Sequence, residues 1–285
     1  MSTLYESAYA KINLTLDVLG KRPDGYHDLK SVMQTVSLRD DVTLEVDGGG
    51  GWRVVCSRED LPQNEGNLAW KAAEVFCRAA GKFPRGLEIR ITKRIPSQAG
   101  LGGGSADAAA VLRGLNRYYG EPFDLPALAE ISAQVGSDVP FCVMGGTVMA
   151  EGRGERLRKL PPMPDCPIVI CKPPFSASTP ELYRKLDEAV ISVRPDHDAM
   201  EKALERGGLK ALGKCVLNVF DPVVSREHPE MEEIKEIFRQ CGALAQQMTG
   251  SGSALFGIME SDAAAASACR CLEGRNVRVY TARPV

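Results

Sequence analysis

Residues 95–110 read I-P-S-Q-A-G-L-G-G-G-S-A-D-A-A-A, and the reading of this stretch decides the fold. A strand-like run, Leu87-Glu88-Ile89-Arg90-Ile91, leads into Pro96. Four glycines then fall within five residues, followed by Ser105 and an alanine-rich segment. The apolar spacing of S-A-D-A-A-A-V-L-R-G-L predicts a packed helix beginning near Ser105. Glycine allows positive φ and a close approach of backbone to ligand. A helix start behind such a loop aims free N–H groups and a positive dipole end into it, an arrangement that binds phosphates.

Two commoner phosphate loops are excluded. A Walker A loop requires G-x-x-x-x-G-K-[ST], and no lysine follows these glycines. Gly20-Lys21, Gly81-Lys82 and Gly213-Lys214 lack the Ser or Thr that must follow. A dinucleotide fingerprint from Gly100 meets Ser105 where its last glycine belongs, and one from Gly102 meets Asp107.

Outward from the loop, strand patterns cover residues 7–18, 29–38, 41–46, 52–56 and 146–150, with helices over 67–80 and 125–135. The run Leu160-Pro161-Pro162-Met163-Pro164 suggests a division into residues 1–160 and 161–285. Beyond it come a strand over 168–171, helices over 180–190, 230–241 and 262–272, and strands over 245–248, 254–258 and 276–282. Helices segregate from antiparallel-looking strands, which predicts an α+β fold rather than a doubly wound sheet.

The composition sets limits on function. A chain of 285 residues is comfortable for two domains. Its net charge of −2, without a dense basic run, does not indicate nucleic acid as a partner. No apolar stretch has the length of a membrane span, and M-S-T-L-Y-E-S-A-Y-A-K lacks a signal-peptide core, so a cytoplasmic location is expected. The nine cysteines, spread from Cys56 to Cys271 without a C-x-x-C pair, are expected to be mostly buried thiols. Only His27, His197 and His228 are present, which disfavours a histidine-built metal site.

Three further clusters bear chemistry. Lys11 and Asn13 share one face of the first strand, where a lysine either snorkels to the edge or meets an anion. In Gly136-Ser137-Asp138-Val139-Pro140-Phe141 a single carboxylate sits in a turn, as a cap, an Asx turn or a general base. Thr249-Gly250-Ser251-Gly252-Ser253 is either a hairpin loop or a second anion nest.

Together these segments resemble the GHMP superfamily of galactokinase, homoserine kinase, mevalonate kinase and phosphomevalonate kinase. Its motif P-x-x-x-G-L-G-S-S-A-A is matched by Pro96, Gly100, Leu101, Gly102 and Ser105, with glycines at 103 and 104. Its last motif is matched by Met248-Thr249-Gly250-Ser251-Gly252-Ser253-Ala254. The opening A-Y-A-K-I-N-L-T-L-D-V-L-G-K-R-P-D-G-Y-H-D-L and the G-S-D-V-P-F segment resemble the branch that phosphorylates a cytidine-diphospho sugar alcohol.

The resemblance implies a ribosomal-protein-S5-like N-terminal domain and a ferredoxin-like C-terminal domain. It implies ATP-dependent phosphorylation of the alcohol's 2-hydroxyl in the non-mevalonate isoprenoid route. Asp138 would be the base and Lys11 its cationic partner. The ATP loop would be Pro96, Ser97, Gln98, Ala99, Gly100, Leu101, Gly102, Gly103, Gly104, Ser105 and Ala106. Asn13, Tyr26, His27, Thr179, Tyr183, Gly250 and Ser251 would bind the substrate. Mg²⁺ would accompany the nucleotide, with Ser105 a candidate ligand.

Gln98 stands where many relatives have a small residue, and Ala106 replaces the second serine of the motif, which puts the metal geometry in doubt. Two alternatives remain: a kinase of the same fold for homoserine or mevalonate, and a nucleotide-binding regulator without catalysis. The D-G-Y-H turn argues against the first, since those alcohols carry no base to read. Lys11 and Asp138 argue against the second, since a sensor needs no base.

Overall fold

The computed structural model describes residues 2–285 and divides the chain into two compact units. Unit 1 holds the chain up to Ala10, Arg39–Ser97 and Gly102–Gly145; unit 2 holds Lys11–Leu38, Gln98–Leu101 and Gly146–Val285. The elements begin with β1 (Ser2–Lys21), β2 (His27–Val46), β3 (Trp52–Cys56), α1 (Leu68–Ala80), β4 (Leu87–Thr92) and α2 (Gly103–Tyr118). Then come α3 (Leu125–Ser132), α4 (Val139–Met144), β5 (Thr147–Gly152), β6 (Arg156–Lys159), β7 (Ile168–Lys172) and α5 (Thr179–Glu188). Next are α6 (His197–Glu205), α7 (Leu209–Cys215), β8 (Leu217–Asn218), α8 (Asp221–Ser225) and α9 (Glu230–Gln240). The chain finishes with β9 (Ala243–Met248), β10 (Leu255–Met259), α10 (Asp262–Leu272) and β11 (Arg278–Ala282). Both β1 and β2 contribute residues to both units.

In unit 1, the second half of β2 runs antiparallel to β4, from Asp41 opposite Thr92 to Val46 opposite Leu87, and β3 lies parallel to β4. Alternation of Val42, Leu44 and Val46 turns one face of β2 into the core. Helix α1 starts where the Asn67 side chain accepts the Ala69 N–H, and ends on Gly81 at φ 63°. It packs on α2, with Ala72, Ala73 and Phe76 buried on α1 and the small Ala106, Ala109 and Ala110 buried on α2.

In unit 2, residues 29–34 of β2 run antiparallel to β5, which pairs with β6, and β8 lies parallel to β1 at Thr15 and Leu16. A separate antiparallel sheet has the order β11-β7-β10-β9. Its core joins Val169, Cys171, Leu255 and Met259 to Ile234 and Phe238 of α9 and to Ala268 and Leu272 of α10. Leu16 and Val18 of β1 and Leu182 and Leu186 of α5 complete it.

Some boundaries differ from the sequence pattern. The strands expected over 29–38 and 41–46 are one strand, because Asp40 buries its side chain and accepts the Ile95 N–H, leaving the backbone extended. Helix α2 begins at Gly103, two residues early, because Gly102 is left-handed (φ 70°) and its carbonyl takes the Ala106 N–H at 2.8 Å. Residues 139–144, expected as loop, form α4 with proline in the first turn. The segment 190–230 carries α6, α7, β8 and α8, each too short for a periodic signal. Four cysteines are buried (Cys56, Cys77, Cys166 and Cys171), four are intermediate, and Cys271 is exposed. Among the described residues, no helix is long and apolar enough to cross a membrane.

Candidate active site

The glycine-rich loop turns through three left-handed residues, Gln98 (φ 51°), Gly100 (φ 75°) and Gly102 (φ 70°). Within unit 2 the Lys11 N–H donates to the Leu101 carbonyl at 3.0 Å, and the Ala254 N–H to that of Ala99 at 3.1 Å. A Cβ on Gly100 would fall on the Thr249 carbonyl oxygen, so glycine is required there by space as well as by φ. A Cβ on Gly250 (φ 58°) would lie 3.0 Å from the Gly100 oxygen and 3.1 Å from Lys11 Nζ. The 98–101 turn, the 249–252 turn and Lys11 therefore meet within unit 2. The amides of Gly103, Gly104 and Ser105, in the first turn of α2, have no intrahelical acceptor.

Lys11 is 3% exposed, and its ammonium donates to Asn13 Oδ1 at 2.6 Å. Asn13 Nδ2 donates to Ser31 Oγ at 2.8 Å, and the Asn13 N–H donates to Thr249 Oγ1 at 3.0 Å. Asn13 thus holds the lysine with its amide oxygen while its amide nitrogen is anchored on Ser31. Asn218 holds the second turn, donating at 2.8 Å to the carbonyls of both Met248 and Gly250. Asp138 lies in unit 1, half-buried, immediately before α4, and its carbonyl accepts the Cys142 N–H.

Helix α5 lines up Thr179, Tyr183 and Asp187 at four-residue spacing, on one face. Thr179 Oγ1 lies 2.7 Å from Ser251 Oγ. The Tyr183 ring stacks on His27 at 4.6 Å and 23°, and His27 Nε2 lies 2.8 Å from Asp187 Oδ1. That hydrogen bond holds the Asp187 carboxyl below the ordinary carboxylate range, with the Lys21 charge adding to it. Tyr26 is 55% exposed, with the Arg153 guanidinium 5.0 Å from its ring centre. The stripe joins four of the sequence candidates and adds Asp187, which the i, i+4 spacing from Thr179 and Tyr183 would have revealed. Ser31 and Asn218 carry no such local signal.

In unit 1, Lys93 is buried between two carboxylates, 2.5 Å from Asp40 Oδ2 and 2.6 Å from Asp107 Oδ2. Burial opposes its charge, but Asp107 and Asp40 outweigh that and keep the ammonium above its usual value. Burial, with the charge of Asp40, pushes the Asp107 carboxyl up to about 7 against the pull of Lys93. Among the described residues, no group of three or more His, Cys, Asp or Glu side chains is placed to hold a metal ion. Ser105, half-buried in the first turn of α2, is an isolated hydroxyl donor.

The family model of the GHMP kinases N terminal domain matches residues 67–146, and that of the GHMP kinases C terminal region matches residues 200–277. A 4-diphosphocytidyl-2-C-methyl-D-erythritol kinase of Pelotomaculum thermopropionicum is 47% identical over 251 residues, covering 88% of this chain and 87% of its own. The enzyme of that name from Geobacillus thermodenitrificans is 44% identical, covering 97% and 95%. A crystal structure of 4-(cytidine 5'-diphospho)-2C-methyl-D-erythritol kinase is similar at a TM-score of 0.82 and 34% identity, covering 99% of both chains. Homoserine kinase from Cytophaga hutchinsonii, at 18% identity and a TM-score of 0.79, shares the fold.

Proposed function

Because the chain belongs to the GHMP kinases, in the 4-diphosphocytidyl-2-C-methyl-D-erythritol kinase family, we propose that it phosphorylates the 2-hydroxyl of that cytidine-diphospho sugar alcohol. ATP is the phosphoryl donor, and the product feeds the non-mevalonate route to isoprenoid precursors. The observation that carries this reading is the meeting in unit 2 of Lys11 with the turns 98–101 and 249–252. A held ammonium between two left-handed backbone turns suits an anionic transition state.

Phosphoryl transfer needs alignment and charge neutralisation more than covalent help. Residues 96–106 form the loop around the ATP phosphates, Gly103, Gly104 and Ser105 supplying backbone N–H groups, and the start of α2 adds its dipole. Asp138 takes the proton from the attacking hydroxyl, and Lys11, oriented by Asn13, stabilises the negative charge that grows on that oxygen. Loss of the second serine of the motif at Ala106 removes one hydroxyl but leaves the backbone cradle intact. The donor set fits an ion carried by the nucleotide rather than by a protein cage. Ser105 would be the protein donor to Mg²⁺, which would supply positive charge against that of the phosphates.

At the other end, Tyr183 and His27 offer a stacked aromatic pair to a planar base, and Tyr26 a further exposed ring. With Nε2 of His27 turned to Asp187, Nδ1 is the ring nitrogen left to read the cytosine edge. Thr179 with Ser251, and Gly250 beside Lys11, flank the diphosphate and the alcohol.

ADP release from Mg-ATP, measured with diphosphocytidyl-methylerythritol, homoserine and mevalonate in turn, tests the reading. Turnover with the first alone is expected. Turnover with either other alcohol would remove the cytidine pocket from it. Silence with all three, in a protein that binds ATP, would leave a regulator.

A further inference from the structure

Lys93 stands three residues before the loop that is read above as the ATP-phosphate cradle, where a basic residue would ordinarily be taken for a phosphate ligand. Its surroundings say otherwise. The side chain is 3% exposed, and its ammonium is held between Asp40 and Asp107. Asp40, itself fully buried, uses its other oxygen to accept the N–H of Ile95 at 2.8 Å and that of Arg94. These are the last two residues of the chain before Pro96 opens the loop. Asp107 sits in the first turns of α2, where the loop closes, and its Oδ1 is buried without a hydrogen-bond partner. Gly103 lets that turn come down on the incoming strand, since a Cβ there would lie 3.0 Å from Ile95 Cγ2 and 3.4 Å from Lys93 Nζ.

Entry and exit of the loop are therefore tied to one ammonium: Asp40 grips the entry backbone, Asp107 rides on the exit helix, and Lys93 joins them. Buried ionic groups are poor stabilisers, because an apolar set of the same volume is often as stable or more so. What such a group supplies is a fixed geometry, since each partner is costly to bury in any other arrangement.

We propose that Lys93, Asp40 and Asp107 are positioning residues that set the span of the ATP-phosphate loop, and so the placement of its N–H groups on the nucleotide. The inference rests on the reading of residues 96–106 as that loop. It assigns the triad no contact with ATP.

The test is steady-state kinetics of Asp107→Ala and Asp107→Asn beside the wild type, varying ATP and the cytidine substrate separately, with ATP binding measured by titration. Cutting the tether in Asp107→Ala raises KM for ATP about ten-fold, with kcat and KM for the cytidine substrate within about two-fold. Asp107→Asn keeps an oxygen for Lys93 to donate to, and returns KM for ATP to within about three-fold of wild type. Amide exchange of residues 97–104 rises in the alanine variant and falls back in the asparagine one. Should Asp107→Ala fail to fold, Lys93→Met is read in the same way, with Lys93→Arg as its rescue.

An unchanged KM for ATP in the folded variant overturns the proposal. So does an equal rise in both KM values, or an asparagine variant as damaged as the alanine one. A wild-type protein that binds no ATP overturns the reading of the loop, and the tether with it. Wild-type binding with no loss in the variants overturns the tether alone.

Discussion

Lys11 illustrates which residue properties a sequence exposes. A lysine on an apolar strand is conspicuous, and so is an aspartate before V-P-F, because the oddity is local. The work of Asn13 is not local: its partners Ser31 and Thr249 lie 18 and 236 residues away, and only folding brings them to it. For Asp138 the expectation is specific. Asp138→Ala should lower kcat by about 10²–10⁴-fold, the usual worth of a positioned base, with the ATP dissociation constant within about two-fold. Near-normal turnover would make Asp138 a shaper of its turn and nothing more. A second residue contributes to pH sensitivity. His197 is buried, with Nδ1 at 3.1 Å from Thr15 Oγ1 and Nε2 without a partner. Burial, with the charge of Lys30 adding, depresses its pKa below the ordinary 6.5. Below that value the unfolded chain takes up a proton that the folded one resists, so unfolding gains as pH falls. His197 should therefore cost the protein stability from pH 6.5 downward, against Asp107, whose raised carboxyl favours the folded chain over the same range, and His197→Gln should remove that part of the slope in urea titrations at stepped pH. An unchanged slope would assign the loss to other groups.

Elements were legible where their ends carried chemical signals. Helix α1 has an asparagine cap and a glycine stop, and its expected and observed bounds agree within a residue. The helix of α2 was evident from its alanines, but its start was set by the backbone of Gly102, which periodicity does not register. Helix α4, at six residues, was hidden behind a proline that sits comfortably in a first turn. The stripe on α5 is half visible: Thr179 and Tyr183 stand out, and the same spacing points to Asp187, whose pairing with His27, 160 residues earlier, only folding shows. The loop before α2 gives the element-scale prediction. Gly100→Ala must adopt φ near +75° and press against the Thr249 carbonyl. It should lower unfolding stability by about 1–3 kcal/mol and raise KM for ATP. Denaturant titration and ATP titration check both. Unaltered stability would show that the turn yields without cost.

At the scale of the molecule, the segregation of helices from antiparallel-looking strands carries the α+β class, and two glycine-rich motifs, at 96–106 and 248–254, carry the GHMP resemblance that both family models match. The partition into units was less legible, because it follows contacts rather than chain order. Unit 2 takes residues 11–38 and 98–101 from the first half of the sequence. A cut after Leu160, at the proline run, parts Leu16 and Val18 from the core formed with Val169, Leu255 and Phe238. The fragment 161–285 is therefore expected to melt well below the full chain, or without a cooperative transition, in circular dichroism. A sharp transition within a few degrees of the full chain would instead establish residue 160 as a true boundary.

The pairing of β1 with β8 carries a consequence for how the chain comes to be made. Thr15 and Leu16 pair with Leu217 and Asn218, and the Val219 N–H closes on the Leu16 carbonyl at 3.0 Å. A ribosome adding about 5–20 residues each second needs roughly 10–40 s to travel from one partner to the other. Throughout that interval the strand bearing Lys11 has been made while its parallel neighbour does not yet exist. The lysine and asparagine at its centre reach their final setting only near the end of translation, once Thr249 has been made to receive the Asn13 N–H.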